Sequence, residues 1–184
     1  MGLVAKNVKT DSLIYIFDYE NPRQELIKKD LVCHLCEGEL IIKAGLIKIH
    51  HFAHKIDCSC DYERHPESYE HLYFKKLLSK EIGNEFAEYL GVKPILEYPI
   101  HEVKRIADIV FEFANGWLAA HEVQLSAITT EVLEKRTNDY RNAGVDITWW
   151  LGKSASTEQN RKWCIEKFGE CFTLDWETVH NNAT

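Results

Sequence analysis

Residues 105–126, RIADIVFEFANGWLAAHEVQLS, constrain this chain more than any other stretch. Two runs of apolar residues flank Asn115-Gly116, which marks a β-hairpin. Burial decides which hairpin it is. A two-residue loop would pair Ile109 with Glu122 and Ala107 with Gln124, dropping a carboxylate and an amide into the apolar face. A three-residue loop, Ala114-Asn115-Gly116, puts Gly116 in the left-handed position of a bulged turn. One face then carries Ala107, Ile109, Phe111, Phe113, Trp117, Ala119, His121 and Val123. Slipping a strand by one residue turns every side chain over, so the aromatic face selects the second pairing. It sets Asp108 opposite Glu122, with Gln124 one pleat further.

Like charges opposed across a sheet destabilise it by up to about 1 kcal/mol unless something stands between them. A hard divalent cation would serve, because Mg²⁺ takes one or two carboxylates together with water and phosphate oxygens. The plainer alternative is a pair of exposed strand-end carboxylates flanking a lysine or arginine.

Around the hairpin the pattern alternates. Leu72, Leu77 or Leu78, Ile82 and Phe86 give helical spacing from Pro66 to about Leu90, and PILEYPI, bracketed by Pro94 and Pro99, reads as extended. A helix is expected over about 130–142, closed by Gly144, then a strand at 146–151, a capped helix at 156–168 and a strand at 171–175. This is an α/β core, a mixed β-sheet flanked by helices.

The first 60 or so residues differ in texture. SLIYIF (12–17) reads as a strand and PRQELIKK (22–29) as a short helix or irregular lead-in. Residues 31–60 then hold four cysteines and four histidines around two short apolar runs, too little surface for a free-standing core. Cys33-x2-Cys36 and His51-x2-His54 form the complement of a closed tetrahedral zinc site, and the 14 residues between Cys36 and His51 suit a hairpin. His50 would give a longer spacing to His54, and Cys58 or Cys60 could replace either histidine. A redox Cys-x-x-Cys is the alternative, although it has no need of trailing histidines. Cys164 and Cys171, in apolar C-terminal elements, read as buried thiols.

No apolar run approaches the roughly 18 residues of a membrane span, and MGLVAKNVKTD is no signal peptide, so a cytoplasmic setting without membrane contact is expected. The net charge of −7 argues against broad adhesion to nucleic acid, yet allows an enzyme whose acidic site is neutralised by cations. Lys28-Lys29 and Lys75-Lys76 read as solvated faces.

The ordered pieces CHLC (33–36), HFAH (51–54), ESYEH (67–71), RIAD (105–108), EVQLS (122–126), Arg136 with Tyr140, and WWL (149–151) resemble the competence protein CoiA family of the PD-(D/E)XK nuclease superfamily, with glutamine in the lysine position. The resemblance implies a zinc-ribbon-like β domain over 1–62 and a restriction-endonuclease-like domain over 63–184. It implies a metal-dependent nuclease hydrolysing phosphodiester bonds of DNA, single-stranded or branched, alongside proteins of recombination. Carried over, Asp108, Glu122 and the backbone carbonyl of Val123 would hold Mg²⁺ or Mn²⁺, and Glu70 would complete the site from a helix. Gln124 would position the attacking water, with a helical cation, Lys75 or Arg136, helping. Lys75, Arg136 and Tyr140 would meet the nucleic acid, while Cys33, Cys36, His51 and His54 hold structural Zn²⁺.

The residues alone leave choices open. Glu70 shares a stripe with Tyr73, Phe74 and Leu77, or is a first-turn glutamate favoured by the helix dipole. Tyr140 and Arg136, neighbours at i and i+4, are substrate contacts, or a core ring with an arginine lying along it. Two other functions compete: a catalytically inactive zinc-stapled DNA-binding or adaptor module, and an RNA-directed nuclease.

Overall fold

The hairpin forms in the three-residue register. In this computed structural model, which describes residues 2–45, 49–55 and 67–181, β7 (Arg105–Glu112) and β8 (Leu118–Gln124) pair Ile109 with His121 and Phe111 with Ala119. Gly116 has φ +82°, its N–H donates to the Phe113 carbonyl at 2.8 Å, and Phe113 N–H donates to the Trp117 carbonyl at 2.9 Å. β6 (Pro94–Ile100) lies antiparallel to β7 at the sheet edge, where its prolines cost no ladder bond that a neighbour needs.

Beyond β8 the sheet turns parallel. β9 (Val145–Gly152) and β10 (Phe172–Leu174) follow in the order β10-β9-β8-β7-β6. Each parallel step needs a crossover, supplied by α3 (Thr130–Asn142) and α4 (Glu158–Phe168). Leu133 and Tyr140 of α3 and Cys164 of α4 pack with Val110, Ala120, Ile147 and Leu151 on one face. On the other face α2 (Tyr69–Glu85) brings Leu72, Phe74, Leu78 and Ile82 against Ile109, Phe111, Ala119 and Val123. The expected mixed sheet with flanking helices is therefore present. Helix α2 starts at Tyr69 behind a Ser68 cap, whose hydroxyl accepts from His71 N–H at 3.1 Å; Pro66 lies outside the described residues.

The N-terminal third adds β1 (Val4–Asn7), which the sequence pattern did not reveal, between β2 (Ser12–Tyr15) and β3 (Leu31–Val32). After the short α1 (Pro22–Glu25), β4 (Leu40–Lys43) and β5 (His51–His54) make a two-stranded hairpin. Leu3, Val4, Leu31, Leu40 and Phe52 join the cluster that contains Leu72 and Ile109, so this third is built onto the same core as α2. An unanticipated α5 (Trp176–Asn181) sets Trp176 edge-on against Tyr69, Tyr73 and Phe74. No helix among the described residues is long and apolar enough to cross a membrane.

The sheet is interrupted at one place. β6 and β7 pair Leu96 with Ile109 and Tyr98 with Ala107 but skip Glu97 and Asp108, and the β7–β8 pairs end at Ile109 with His121. Glu97 has φ +55°. Strand β7 turns over at this break. As a result Ala107, expected beside Ile109, packs instead with Val110 and Ala120.

His121 is buried among Tyr89, Phe111 and Trp150, and its Nδ1 accepts from Trp150 Nε1 at 3.1 Å. Burial pushes its pKa down to about 4. The unfolded imidazole takes up a proton near the ordinary 6.5, which the native one refuses, so stability should fall as pH drops from about 6.5 to about 4. Urea midpoints at pH 7.5 and 5 should differ more for the wild type than for His121→Phe; equal pH dependence would show His121 unaffected by burial.

Candidate active site

At the break, side chains take over from the ladder. Asp108 N–H donates to Glu122 Oε1 at 3.2 Å, and Val123 N–H donates to Asp108 Oδ2 at 2.9 Å. The two carboxylates are thus held by each other's strands, where β7 and β8 part.

From α2, Glu67, His71 and Lys75 reach this point at i, i+4 and i+8, one face of the chain entering the helix. His71 Nε2–H donates to the Val123 carbonyl at 2.9 Å and lies 3.3 Å from Asp108 Oδ2, while Nδ1–H donates to Glu67 Oε1 at 2.8 Å. Lys75 Nζ donates to Glu67 at 2.6 Å and to Glu97 Oε1 at 3.0 Å, and stands 3.8 Å from Asp108 Oδ1. Burial opposes charge on Glu67, His71, Lys75 and Asp108, but their pairing outweighs it. Asp108 and Glu67 draw His71 up to about 10, while His71 and Lys75 draw Asp108 down to about 2. Lys75 is raised and Glu67 lowered by the same pairs.

From the opposite face, α3 reaches Glu122. Arg136 donates from Nη2 to Glu122 Oε2 and from Nη1 to Gln124 Oε1 at 2.9 Å, with its guanidinium 4.7 Å from the Trp149 ring centre. Tyr140 Oη–H donates to Glu122 Oε1 at 2.7 Å. The Gln124 amide nitrogen donates to the Ser126 carbonyl and hydroxyl, both at 2.9 Å, so its oxygen is aimed at Arg136. Burial, then the neighbouring Asp108, raise the Glu122 pKa despite Arg136 and Tyr140.

Several expectations change. Glu70 is exposed: it lies about 100° around α2 from His71, and Glu67 takes the carboxylate position from just before the helix. Lys75, read as half of a solvated pair and as a nucleic-acid contact, is 1% exposed within the carboxylates. Tyr140, read as another such contact, is fully buried, a core ring with Arg136 lying along it. The repulsion between Asp108 and Glu122 is already met by His71, Lys75 and Arg136, so closeness alone does not require an outside cation. Sequence reasoning missed Glu67, His71 and Glu97. Their signals were a lysine in the apolar stripe of α2, in phase with polar residues four and eight before it, and a lone glutamate in PILEYPI.

Two groups could hold a metal ion. Glu67, His71 and Asp108 bring one ligand atom each within 4.8 Å of one another, and so do Cys33, Cys36 and His54. In the second group Cys36 Sγ, in the turn before β4, lies 3.3 Å from His54 Nε2 at the end of β5. His51, expected as a ligand, is not part of it. Three residues apart on a strand, His51 and His54 project from opposite faces, and His51 Nδ1–H donates to the Ile49 carbonyl at 3.0 Å. His50 is also absent from the group, and Cys58 and Cys60 lie outside the described residues.

Residues 67–181 match the family profile "Competence protein CoiA, nuclease-like domain", and residues 18–63 match "Competence protein CoiA, N-terminal domain". The chain belongs to the competence protein CoiA family. Its sequence is 31% identical over 157 residues to competence protein CoiA of Bacillus subtilis (strain 168), covering 85% of this chain and 39% of that protein, so it spans well under half of this CoiA relative. Among solved structures, a repair endonuclease from Pyrococcus abyssi aligns with a TM-score of 0.38 and 22% identity, over 61% of this chain and 49% of the other. The first profile begins at Glu67 and so takes in every residue of the carboxylate cluster.

Removing the partly accessible Arg136 leaves the buried Glu122 charge uncompensated. Arg136→Met should therefore destabilise this CoiA-family protein by about 3 kcal/mol, and Glu122→Gln added to it should recover part of the loss. Urea denaturation of the two single variants and the double variant measures this; strict additivity would show that the pair is not coupled.

Proposed function

We propose that this protein is a divalent-cation-dependent nuclease that hydrolyses phosphodiester bonds of DNA. The reading is carried by one arrangement: Asp108 Oδ2 and the Val123 carbonyl face a single N–H, His71 Nε2, with the Glu122 carboxylate beside them. These are two carboxylates and a carbonyl, the oxygen donors a hard cation prefers, and in the resting arrangement His71 and Lys75 keep Asp108 ionised. The donor set fits Mg²⁺ or Mn²⁺, which Asp108, Glu122 and the Val123 carbonyl would hold. A cation bound there supplies Lewis-acid charge to a scissile phosphate. The chain's own groups do the rest. Lys75 keeps Asp108 charged, Gln124 orients Arg136, and Arg136, partly accessible on α3, supplies the positive charge that a lysine at position 124 would give.

We further propose that Cys33, Cys36 and His54 hold a structural Zn²⁺, their soft and borderline donors being those zinc prefers. The units 1–62 and 63–184 would act together in the cytoplasm on single-stranded or branched DNA with recombination proteins. One observation favours a second reading, a silent DNA-binding or adaptor module: the carboxylates are already paired with cations from the chain itself.

Incubation of single-stranded, duplex and branched DNA, and of RNA, with Mg²⁺ or Mn²⁺ separates these readings. Cleavage of DNA that is lost in both Asp108→Ala and Glu122→Ala is expected. Binding without cleavage would favour the adaptor, and equal cleavage by all three proteins would show the activity to be foreign. Metal content after dialysis should show one zinc in the wild type and in His51→Ala, and loss in Cys36→Ala and His54→Ala. Zinc retained in the last two would remove the assignment.

A further inference from the structure

Glu97 sits mid-strand in β6 with φ +55° and is 8% exposed, a strained backbone for a residue with a side chain. Its surroundings on one side come from the N-terminal third. Leu3 N–H donates to Glu97 Oε1 at 2.6 Å, and His34 Nε2–H donates to the Glu97 main-chain carbonyl at 2.9 Å. Gly2 approaches so closely that a Cβ added to it would lie 2.7 Å from Glu97 Oε2. His34 is the chain neighbour of Cys33, and its buried Nδ1 has no hydrogen-bond partner among the described residues, so the contact with Glu97 is what orients the ring. On its other side Glu97 Oε1 accepts from Lys75 Nζ at 3.0 Å, and that ammonium stands 3.8 Å from Asp108 Oδ1. Glu67 binds the same ammonium from just before α2. Of these two partners, Glu97 is the one fixed by the N-terminal third.

We propose that Glu97 is a positioning residue through which the N-terminal third, including the segment carrying Cys33, holds the Lys75 ammonium against Asp108. The inference deepens the proposed nuclease site and rests on that reading for its purpose. The β1 edge and the Cys33 loop then do more than cover α2. They reach the carboxylates by contacts that cross from residues 2, 3 and 34 to residue 97. Such a chain explains why a strained glutamate sits in a strand where an apolar residue would pack without cost to the backbone. Its carboxylate and its carbonyl point to different elements, and both are taken.

The test reads Lys75 directly. The full chain is treated with acetic anhydride, and acetylation of Lys75 is measured by mass spectrometry against the exposed Lys162. A hydrogen bond to a charged group is strong enough that its loss should speed Lys75 acetylation about tenfold or more in Glu97→Ala. Glu97→Gln, which keeps an acceptor for Leu3 and for the ammonium, should restore much of the protection. Gly2→Ala and His34→Phe, which leave residues 67–181 unaltered, should act in the same direction as Glu97→Ala. They keep the question open to test if Glu97→Ala fails to fold. Unchanged Lys75 acetylation in Gly2→Ala and His34→Phe would overturn the proposal.

A second readout ties the link to the site. Mn²⁺ binding, followed by electron paramagnetic resonance, should weaken about tenfold in Glu97→Ala, because the cluster loses one carboxylate and the ammonium is no longer held in place beside Asp108. Unaltered Mn²⁺ affinity alongside faster acetylation would overturn the positioning role. If wild-type Mn²⁺ binding is the same in Asp108→Ala and Glu122→Ala, the nuclease reading fails, while the acetylation rates still decide the link from Glu97 to Lys75.

Discussion

The structure turns on a missing pair in its central sheet. Where Glu97, Asp108 and Glu122 would continue the ladder, the β6–β7 pairing skips a position and the β7–β8 pairing stops. Buried backbone N–H groups left by such a break must find other acceptors, since an unmet one costs about as much as a lost hydrogen bond. The acceptors are carboxylates: Glu122 for Asp108 N–H and Asp108 for Val123 N–H, while Glu97, beside the break, accepts from Leu3 N–H of the N-terminal third. These charges are in turn buried, so they need cations, and His71, Lys75 and Arg136 provide them from helices on both faces. With Glu67, four acids face three bases. The cluster therefore carries an excess of one negative charge when all are ionised.

The glutamine at position 124 makes sense in this frame. An amide cannot carry charge, but it can aim a group that does. Ser126 fixes its nitrogen, and its oxygen meets an Arg136 that also engages Glu122 and lies over Trp149. A guanidinium suits this place because its planar fork binds two acceptors and its face stacks on an indole, which an ammonium on a flexible stem does less well. Under the proposed function, the positive charge has moved from the strand to α3 without leaving the carboxylate it serves.

How much of this was legible follows from how regular each element is. Hairpin register could be read from burial alone, because strict alternation leaves one pairing that buries the aromatic residues. Alternation also explains the errors. It put Ala107 on the face of Ile109, and no pattern argument contains the turn-over that Glu97 imposes at Asp108. On α2 the apolar spacing was right, but the stripe from Glu70 was about 100° out of phase with the face that meets the sheet. His51 and His54 share a motif spacing in the sequence, but a strand sends residues three apart to opposite sides. β1 carries only four residues with no clear alternation and is held by partners distant in sequence, so its local signal is weak.

On sequence grounds, two opposed carboxylates call for a divalent cation or for a flanking lysine or arginine. The folded chain meets that need itself, and this alters what an incoming cation has to do. Asp108 Oδ2 and the Val123 carbonyl, which belong to different strands, are spanned by one N–H of His71. That N–H sits where the two strands offer oxygen to a common point, as a metal ion would. Under the proposed function, exchanging one for the other requires only that an imidazole on α2 move aside, with β7, β8 and the α3 contacts to Glu122 left in place. Such a site would be preorganised in its resting state: the strain and desolvation of gathering the acids are met by the fold, and a cation would replace a proton donor rather than build the cluster.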